Sequence, residues 1–322
     1  MGRAASIARM ARSVSASPGS PGGRIAGGIA VSCGLQHVHR ASFEFTSPHR
    51  LKDEEMTAIA QEPSAFATQS RVTRDLPKYF YTWMAGLCMI VAFAGFTPSY
   101  WARVATGTFT GAPIFHIHGL LFSFWTVFFV AQAALASSGR IARHRAVGLV
   151  GISLATSMVI VGILVSLASL QQGVALGFGE QATAFSIVSL TGIVVFAGLF
   201  IAAVANVRRP EVHKRLMLVS TVSLLQAAIG RVFRLFLLPP EMLALPVGDM
   251  PPPPVLFTVG AGLAVDLIIV VAMVFDWRTR GRPHPAYLIG GGLVLATQLL
   301  RVPMSETAAW RAIANGMLAL AG

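Results

Sequence analysis

Residues 182–206 read ATAFSIVSLTGIVVFAGLFIAAVAN, 25 consecutive residues without a charged side chain. A helix of about 20 mostly apolar residues crosses the hydrocarbon core of a bilayer, so this stretch predicts a transmembrane helix. Comparable stretches occur at 79–97, 114–136, 147–170, 215–238, 255–275 and 285–302. The sequence therefore predicts an all-α fold, a polytopic transmembrane helical bundle of about seven helices.

The composition supports a membrane protein and excludes several other classes. Of the 322 residues, 54% are hydrophobic and 12% are charged, whereas a soluble domain carries about 25% charged residues. Such a chain cannot cover a water-facing surface, which excludes an ordinary cytosolic enzyme, a disordered chain and a collagen-like protein. The two cysteines, Cys33 and Cys88, provide neither a disulfide framework nor a cysteine-rich metal site.

Lysine and arginine residues mark one side of the predicted bundle. They cluster before the first apolar segment and after the second, fourth and sixth, at Arg71, Arg74, Lys78, Arg140, Arg143, Arg145, Arg208, Arg209, Lys214, Arg215, Arg278, Arg280 and Arg282. The opposite connections contain a single basic residue, Arg103. Because basic residues are enriched in cytoplasmic loops, the N-terminus is predicted inside and the C-terminus outside.

The two ends of the chain differ from the predicted bundle. Residues 1–55 have the composition of a basic, disordered tail or a transit peptide, or else translation begins at Met56. Residues 56–78 form a cytoplasmic lead-in, 79–302 the transmembrane bundle, and 303–322 a C-terminal segment at the membrane interface. The predicted location is a bacterial inner membrane, or an organellar inner membrane if residues 1–55 are a transit peptide.

Several polar residues are predicted at similar depth near the outer face. His116 and His118 begin the second segment, Arg231 and Arg234 end the fifth, and Arg301 ends the seventh. One interpretation is a site for an anionic cofactor such as haem, with His116 or His118 as axial ligand and Arg231 and Arg234 at the propionates. The other is that the arginines reach the lipid headgroups and the histidines bind helix-end carbonyls.

Two further observations bear on this outer group. The two histidines are two positions apart and point to different sides of a helix, so they cannot both bind one metal ion. Glu180, Glu241 and Asp249 lie in outer connections and are candidate anionic partners for the arginines.

Three histidines, His144, His213 and His284, lie near the inner face. A bis-histidine haem joins two helices at equal depth, so His144 with His213 is geometrically possible. Both lie in strongly basic runs at the water boundary, however, and contact with lipid phosphate is the favoured interpretation.

One carboxylate, Asp266, is predicted well inside a spanning helix, where an ionised acid costs roughly 2.5–3.5 kcal/mol on insertion scales. A partner such as Gln298, protonation or a polar cavity would offset this cost. Asp266 is therefore a candidate proton relay or a packing hydrogen bond. Asp276 is expected at the inner boundary beside Arg278, without a special role.

Four motifs carry a resemblance to known families. They are FHIHGL at 115–120, GRIARHRAVG at 139–148, RRPEVHKRLM at 208–217 and HP at 284–285. Over about residues 80–302 the chain resembles uncharacterised bacterial polytopic membrane proteins and, more distantly, the YozB-like family linked to cytochrome oxidase assembly. The resemblance implies a link to respiratory membranes, to haem and to respiratory oxidase subunits as partners.

Three functional hypotheses follow from these observations. The first is a membrane protein associated with respiratory haem or quinone chemistry, as an assembly factor or an electron-transfer subunit. The second is a proton-coupled transporter of a small anion that uses Asp266 as relay, and the third is a structural subunit of a membrane complex. A retinal protein is excluded because the last helix contains no lysine, and no GxxxxGK or HExxH motif is present.

Overall fold

The computed structural model describes residues 65–239 and 250–321, and these residues form helices joined by short connections. The predicted tail at 1–55, Glu241 and Asp249 lie outside the described residues. The helices are α1 (Ala65–Phe96), a π-helical turn (Thr97–Trp101), α2 (Ala102–Ala105), α3 (Pro113–Ser137), α4 (Ile141–Ala175), α5 (Gly179–Ala205), α6 (Pro210–Leu224), α7 (Gln226–Leu237), α8 (Phe257–Arg280), α9 (Pro285–Ser305) and α10 (Ala308–Ala321).

The predicted all-α bundle of seven transmembrane helices is confirmed. Within the described residues, seven helical stretches are long and apolar enough to cross a membrane. The first runs from Pro77 to Ala105 through the π-helical turn, the fifth combines α6 and α7, and the others are α3, α4, α5, α8 and α9. Most extend a few residues beyond the predicted limits, because the polar residues at their ends continue the helix.

Prolines and a glycine set several helix boundaries. Pro113, Pro210 and Pro285 occupy the first turns of α3, α6 and α9. Proline costs little there, because an N–H in the first turn has no acceptor within the helix. Gly281 ends α8 in the left-handed conformation, with φ of 77°, which a residue without a Cβ adopts at low cost.

Successive helices pack on one another, and the later helix α7 also packs on the first helix, α1. α1 packs on α3, α3 on α4, α4 on α5 and α5 on α6, while α9 contacts α5, α6 and α8, and α7 joins α8 to α1. The α1–α7 contact depends on Gly95, because a Cβ there would lie 2.5 Å from the carbonyl oxygen of Ala228. Close backbone approach at small residues is typical of helix packing in membranes.

Large apolar side chains cover both the interior and the outer surface of the bundle. Buried residues such as Val219, Val265 and Tyr287 form the main core, whereas Leu149 and Ile289 are about 70% exposed (68% and 72%). Exposed apolar surface of this kind suits contact with lipid tails, and it places the protein in a membrane.

The C-terminal helix α10 is not one of the seven spanning helices. Its 14 residues are too few to span a bilayer. Trp310 donates from Nε1 to the carbonyl oxygen of Thr183 at 2.9 Å, and Ala314 is buried against Leu170 and Ala182. α10 thus packs on the C-terminal end of α4 and the N-terminal end of α5.

Candidate functional site

His116, at the outer end of the bundle, is held by the π-helical turn that follows α1. The Tyr100 hydroxyl lies 3.1 Å from His116 Nδ1, and the Phe109 ring centre is 4.8 Å from the imidazole centre. Tyr100 also packs on α3 at Gly119, where a Cβ would lie 2.7 Å from the phenol ring. Wide turns of this type occur often at functional sites.

His118 has different neighbours from His116, as the spacing predicts. Its ring centre is 4.1 Å from that of Phe122, and its buried Nδ1 atom has no hydrogen-bond partner. The positive charge of Arg231, on α7, acts on His118. Arg231 packs over the Phe96 ring at 4.3 Å and donates to the carbonyl oxygen of Ala227 at 2.9 Å.

His118 and Arg231 each have a buried polar atom without a hydrogen-bond partner, and these atoms indicate what the residues can bind. Arg231 Nε is buried and has no hydrogen-bond partner, and an arginine N–H can only donate. His118 Nδ1 donates in one of its two tautomers. A ligand here would therefore supply acceptor oxygens, as a carboxylate, a phosphate or a quinone carbonyl does.

The predicted ion pairing of the outer arginines is not observed within the described residues. Arg234 donates to the Met250 thioether sulfur, and none of the ion pairs in this part of the chain includes Arg231, Arg234 or Glu180. Pairing with Glu241 or Asp249 stays a prediction, since both lie outside the described residues.

Arg301, predicted near the outer face, is buried in a second polar cluster with Gln226 and Thr258. Only 3% of its surface is exposed, and its guanidinium donates to Gln226 Oε1 at 3.1 Å and to Thr258 Oγ1 at 2.8 Å. Gln226 also donates from Nε2 to the carbonyl oxygen of Thr258 at 2.8 Å. Gln226 begins α7 directly after Leu225, where the fifth span is interrupted.

A further polar contact, between Asp266 of α8 and Gln298 of α9, lies about one helical turn before Arg301 on α9. Gln298 Nε2 donates to Asp266 Oδ1 at 3.2 Å, so the expected partner is confirmed. Three buried polar atoms of these residues have no hydrogen-bond partner: Asp266 Oδ2, Gln298 Oε1 and Arg301 Nε.

The two histidines His144 and His213 meet at the face that the charge pattern predicts to be the inner one. Their ring centres are 6.3 Å apart and the rings are nearly perpendicular. His144 Nδ1 lies 3.3 Å from the carbonyl oxygen of Gln132, and His213 Nδ1 lies 2.8 Å from that of Ala203. Because a carbonyl oxygen only accepts, each Nδ1 carries a proton, and in the neutral imidazole the lone pair is on Nε2.

A buried ion pair near His213 contradicts the expectation for Asp276. Arg215 donates from Nε and Nη2 to the two Asp276 oxygens at 2.7 and 2.6 Å, and the two side chains are 1% and 0% exposed. Arg278, the expected neighbour, is exposed. Asp276 therefore has a structural partner that the sequence did not indicate, because the two residues are 61 positions apart.

Further groups surround this pair. Glu211 accepts from Arg215 and Lys214 at 2.7 and 2.8 Å and also pairs with Arg280. Arg215 and Lys214 are thus bound within the protein, whereas the sequence interpretation placed this basic run against lipid phosphate.

His284, the third inner histidine, begins α9 and connects it to the ion pair. Its side-chain Nδ1 accepts from the Ala286 N–H at 3.1 Å, and its main-chain N–H donates to Asp276 Oδ2 at 3.3 Å. Partial burial, together with the nearby Arg215 charge, lowers the pKa of His284. The neutral imidazole is thereby favoured, and it caps the helix.

Neither a metal-binding group of side chains nor a cavity coincides with the histidines in the described part of the chain. Among the described residues, no three His, Cys, Asp or Glu side chains are grouped so that they could hold a metal ion. Two apolar cavities in this part of the chain lie against α4, α5 and α10 and at the outer ends of α7 and α8. None of the histidines described above lines either cavity.

No protein-family model matches the chain, and no curated protein or solved structure is significantly similar to it.

Proposed function

We propose that this integral membrane protein binds haem at its inner face and carries electrons, with His144 and His213 as the two axial ligands. The observation that supports the proposal is the similar anchoring of these two imidazoles, one on α4 and one on α6, whose rings lie close together. Both Nδ1 atoms are bound to main-chain carbonyls, and this is the arrangement that orients metal-binding histidines and raises their basicity.

The separation of the two rings suits one iron between them. With metal–imidazole bonds of about 2 Å and ring nitrogens about 1 Å from the ring centre, a shared ion separates the centres by about 6 Å. The observed separation is 6.3 Å. His144 and His213 would hold the haem iron, and the porphyrin would supply its other ligands.

The surrounding charge also suits haem. Arg143 and Arg145 flank His144 and are exposed, and Lys214 follows His213. Basic side chains of this kind bind carboxylates, so Arg143 and Arg145 would hold the propionates at the water boundary. Haem would supply a one-electron redox centre there, consistent with the respiratory link that the resemblance to the YozB-like family implies.

The experiment is an optical spectrum of the purified protein, oxidised and dithionite-reduced, after expression with added haem precursor. We expect the Soret and α bands of a low-spin bis-histidine haem. His144→Ala and His213→Ala should each remove the low-spin bands, because one axial ligand is lost. His118→Ala and His116→Ala are the matched controls and should leave the spectrum unchanged.

Two results would count against this proposal. A colourless wild-type protein that elutes as a folded species, even after incubation with hemin, excludes haem binding. Bands that disappear in His118→Ala and persist in His144→Ala would move the haem to the outer group of His116, His118, Arg231 and Arg234.

A second candidate function is proton-coupled transport of a small anion, favoured by the interrupted fifth span. Leu225 separates α6 from α7, and Gln226 beside it binds Arg301. Broken helices next to polar clusters are typical of transporter binding sites. Uptake of radiolabelled phosphate or acetate into proteoliposomes under a proton gradient tests this function. Equal uptake by wild type, Arg301→Gln and protein-free vesicles would exclude it for these anions.

A further inference from the structure

One hydrogen bond joins Asp266 and Gln298, and each of the two groups has a further oxygen without a partner. A carboxyl group and a carboxamide can join through two parallel hydrogen bonds, one donated by each group. The first is present, from Gln298 Nε2 to Asp266 Oδ1 at 3.2 Å. The other two oxygens, Asp266 Oδ2 and Gln298 Oε1, are buried and have no partner.

Both unpartnered oxygens are acceptors when Asp266 is ionised, so neither can satisfy the other. A single proton on Asp266 Oδ2 changes this, because the resulting O–H donates to Gln298 Oε1. Within the described residues no ion pair includes Asp266. A carboxylate at this depth without an ion-pair partner is costly, and protonation removes its charge.

We propose that Asp266 is the proton-binding residue of the bundle, held as a neutral acid in a reciprocal hydrogen-bonded pair with Gln298. One proton satisfies two buried oxygens that the rest of the described chain leaves without partners. The proposal is independent of haem binding, since it uses none of the inner-face residues.

Arg301 stabilises the second state of this site, in which Asp266 is ionised. It lies three residues after Gln298 on α9, on the same helix face, and it interacts electrostatically with Asp266. When the proton leaves Oδ2 for a water molecule, the guanidinium charge offsets the carboxylate charge. Arg301 Nε has no acceptor in the observed state, so it is free to donate after proton release.

Among the described residues, Arg301 is the charged group that acts on Asp266. The charges on α7 have contacts elsewhere: Arg231 packs over Phe96, and Arg234 donates to Met250. α7 contributes the uncharged Gln226 to the cluster. Arg215 of α6 is bound to Asp276 at the inner end of α8. The two-state behaviour of Asp266 thus depends on Arg301 alone among these groups.

Gly262 makes room for the pair. A Cβ at this position would lie 2.7 Å from Gln298 Cδ and from Oε1, which is closer than real contacts allow. Any larger residue would displace the carboxamide from Asp266. This glycine lies one helical turn before Asp266 on α8, and its missing side chain positions the amide.

Infrared difference spectroscopy of the full-length protein tests the proposal. Subtracting the Asp266→Asn spectrum from the wild-type spectrum at pH 7 should show one protonated carboxyl C=O band that shifts in D₂O. Gln298→Leu should move this band to higher frequency, because the acid loses its partner. Glu180→Gln, which alters an acid outside the cluster, is the control and should leave the band in place.

The pH dependence separates the two states. Arg301→Gln should move the pH midpoint at which the band disappears upward, since the charge that stabilises the carboxylate is lost. A difference spectrum that contains only carboxylate bands at pH 7 would overturn the proposal, because Asp266 would then be ionised and hydrogen-bonded to water. An unchanged band frequency in Gln298→Leu would also contradict it, because the reciprocal pair would then be absent.

Discussion

The buried pair of Arg215 and Asp276 allows a quantitative prediction about stability. Two charge-assisted bonds of 2.7 and 2.6 Å join side chains that are 1% and 0% exposed. Removing one partner of such a pair costs about 3–5 kcal/mol, mainly because the other charge stays buried without compensation. The two single variants should differ in cost, since the remaining partners of the two residues differ.

Arg215→Met should be the more destabilising change, near the upper end of the roughly 3–5 kcal/mol range. It leaves Asp276 with the His284 N–H at 3.3 Å and with Arg280 Nε at 3.9 Å. Asp276→Asn should fall near about 3 kcal/mol, because Arg215 still donates to the Glu211 carboxylate at 2.7 Å. The double variant Arg215→Met/Asp276→Leu should cost less than either single change.

Unfolding by sodium dodecyl sulfate in mixed micelles, followed by tryptophan fluorescence, measures these differences. A double-mutant cycle then gives the coupling energy between the two residues. The reasoning is refuted if the double variant costs the sum of the two single costs. It is also refuted if Asp276→Asn destabilises more than Arg215→Met, because Glu211 would then give no compensation.

Three further predictions concern other parts of the bundle. The lowered pKa of His284 means that the unfolded chain binds a proton more readily, so stability is lost as pH falls through the ordinary value of about 6.5. Thermal unfolding should show this loss in wild type and a smaller one in His284→Asn, which keeps a capping acceptor; equal losses would contradict it. Gly95→Ala should separate α1 from α7 and lower stability by about 1–3 kcal/mol, and an unchanged unfolding midpoint would show that the contact is loose. Thr221→Val should remove the acceptor of Trp125 Nε1, now at 3.3 Å, at a cost of about 1 kcal/mol, and a shift in tryptophan emission should accompany it.

The three histidines at the inner face show how similar sequence contexts lead to different roles. His144 and His213 follow helix starts in basic runs and bind the carbonyl of a preceding helix through Nδ1. His284 uses Nδ1 as an acceptor instead and caps its own helix. His144 and His213 are candidate ligands because their Nε2 atoms are not used in these hydrogen bonds. Their difference from His284 is seen in the hydrogen-bond partners and not in the sequence.

The sequence by itself determined the class of the protein, the number of spanning helices and their limits to within a few residues in most cases. These properties depend on local runs of apolar side chains and on breakers such as Pro113 and Gly281, which act over a single helix. It also indicated Gln298 as a partner for Asp266, because both are polar residues at similar predicted depth in neighbouring spans.

Only the tertiary structure decided which polar residues meet. Depth along a helix can be read from sequence, but the direction in which a side chain points around the bundle depends on how the helices rotate and pack. For this reason Arg301 is bonded to Gln226 and Thr258, and Asp276 is paired with Arg215 instead of remaining beside Arg278. The charges in a membrane bundle are few, and packing determines which of them become partners.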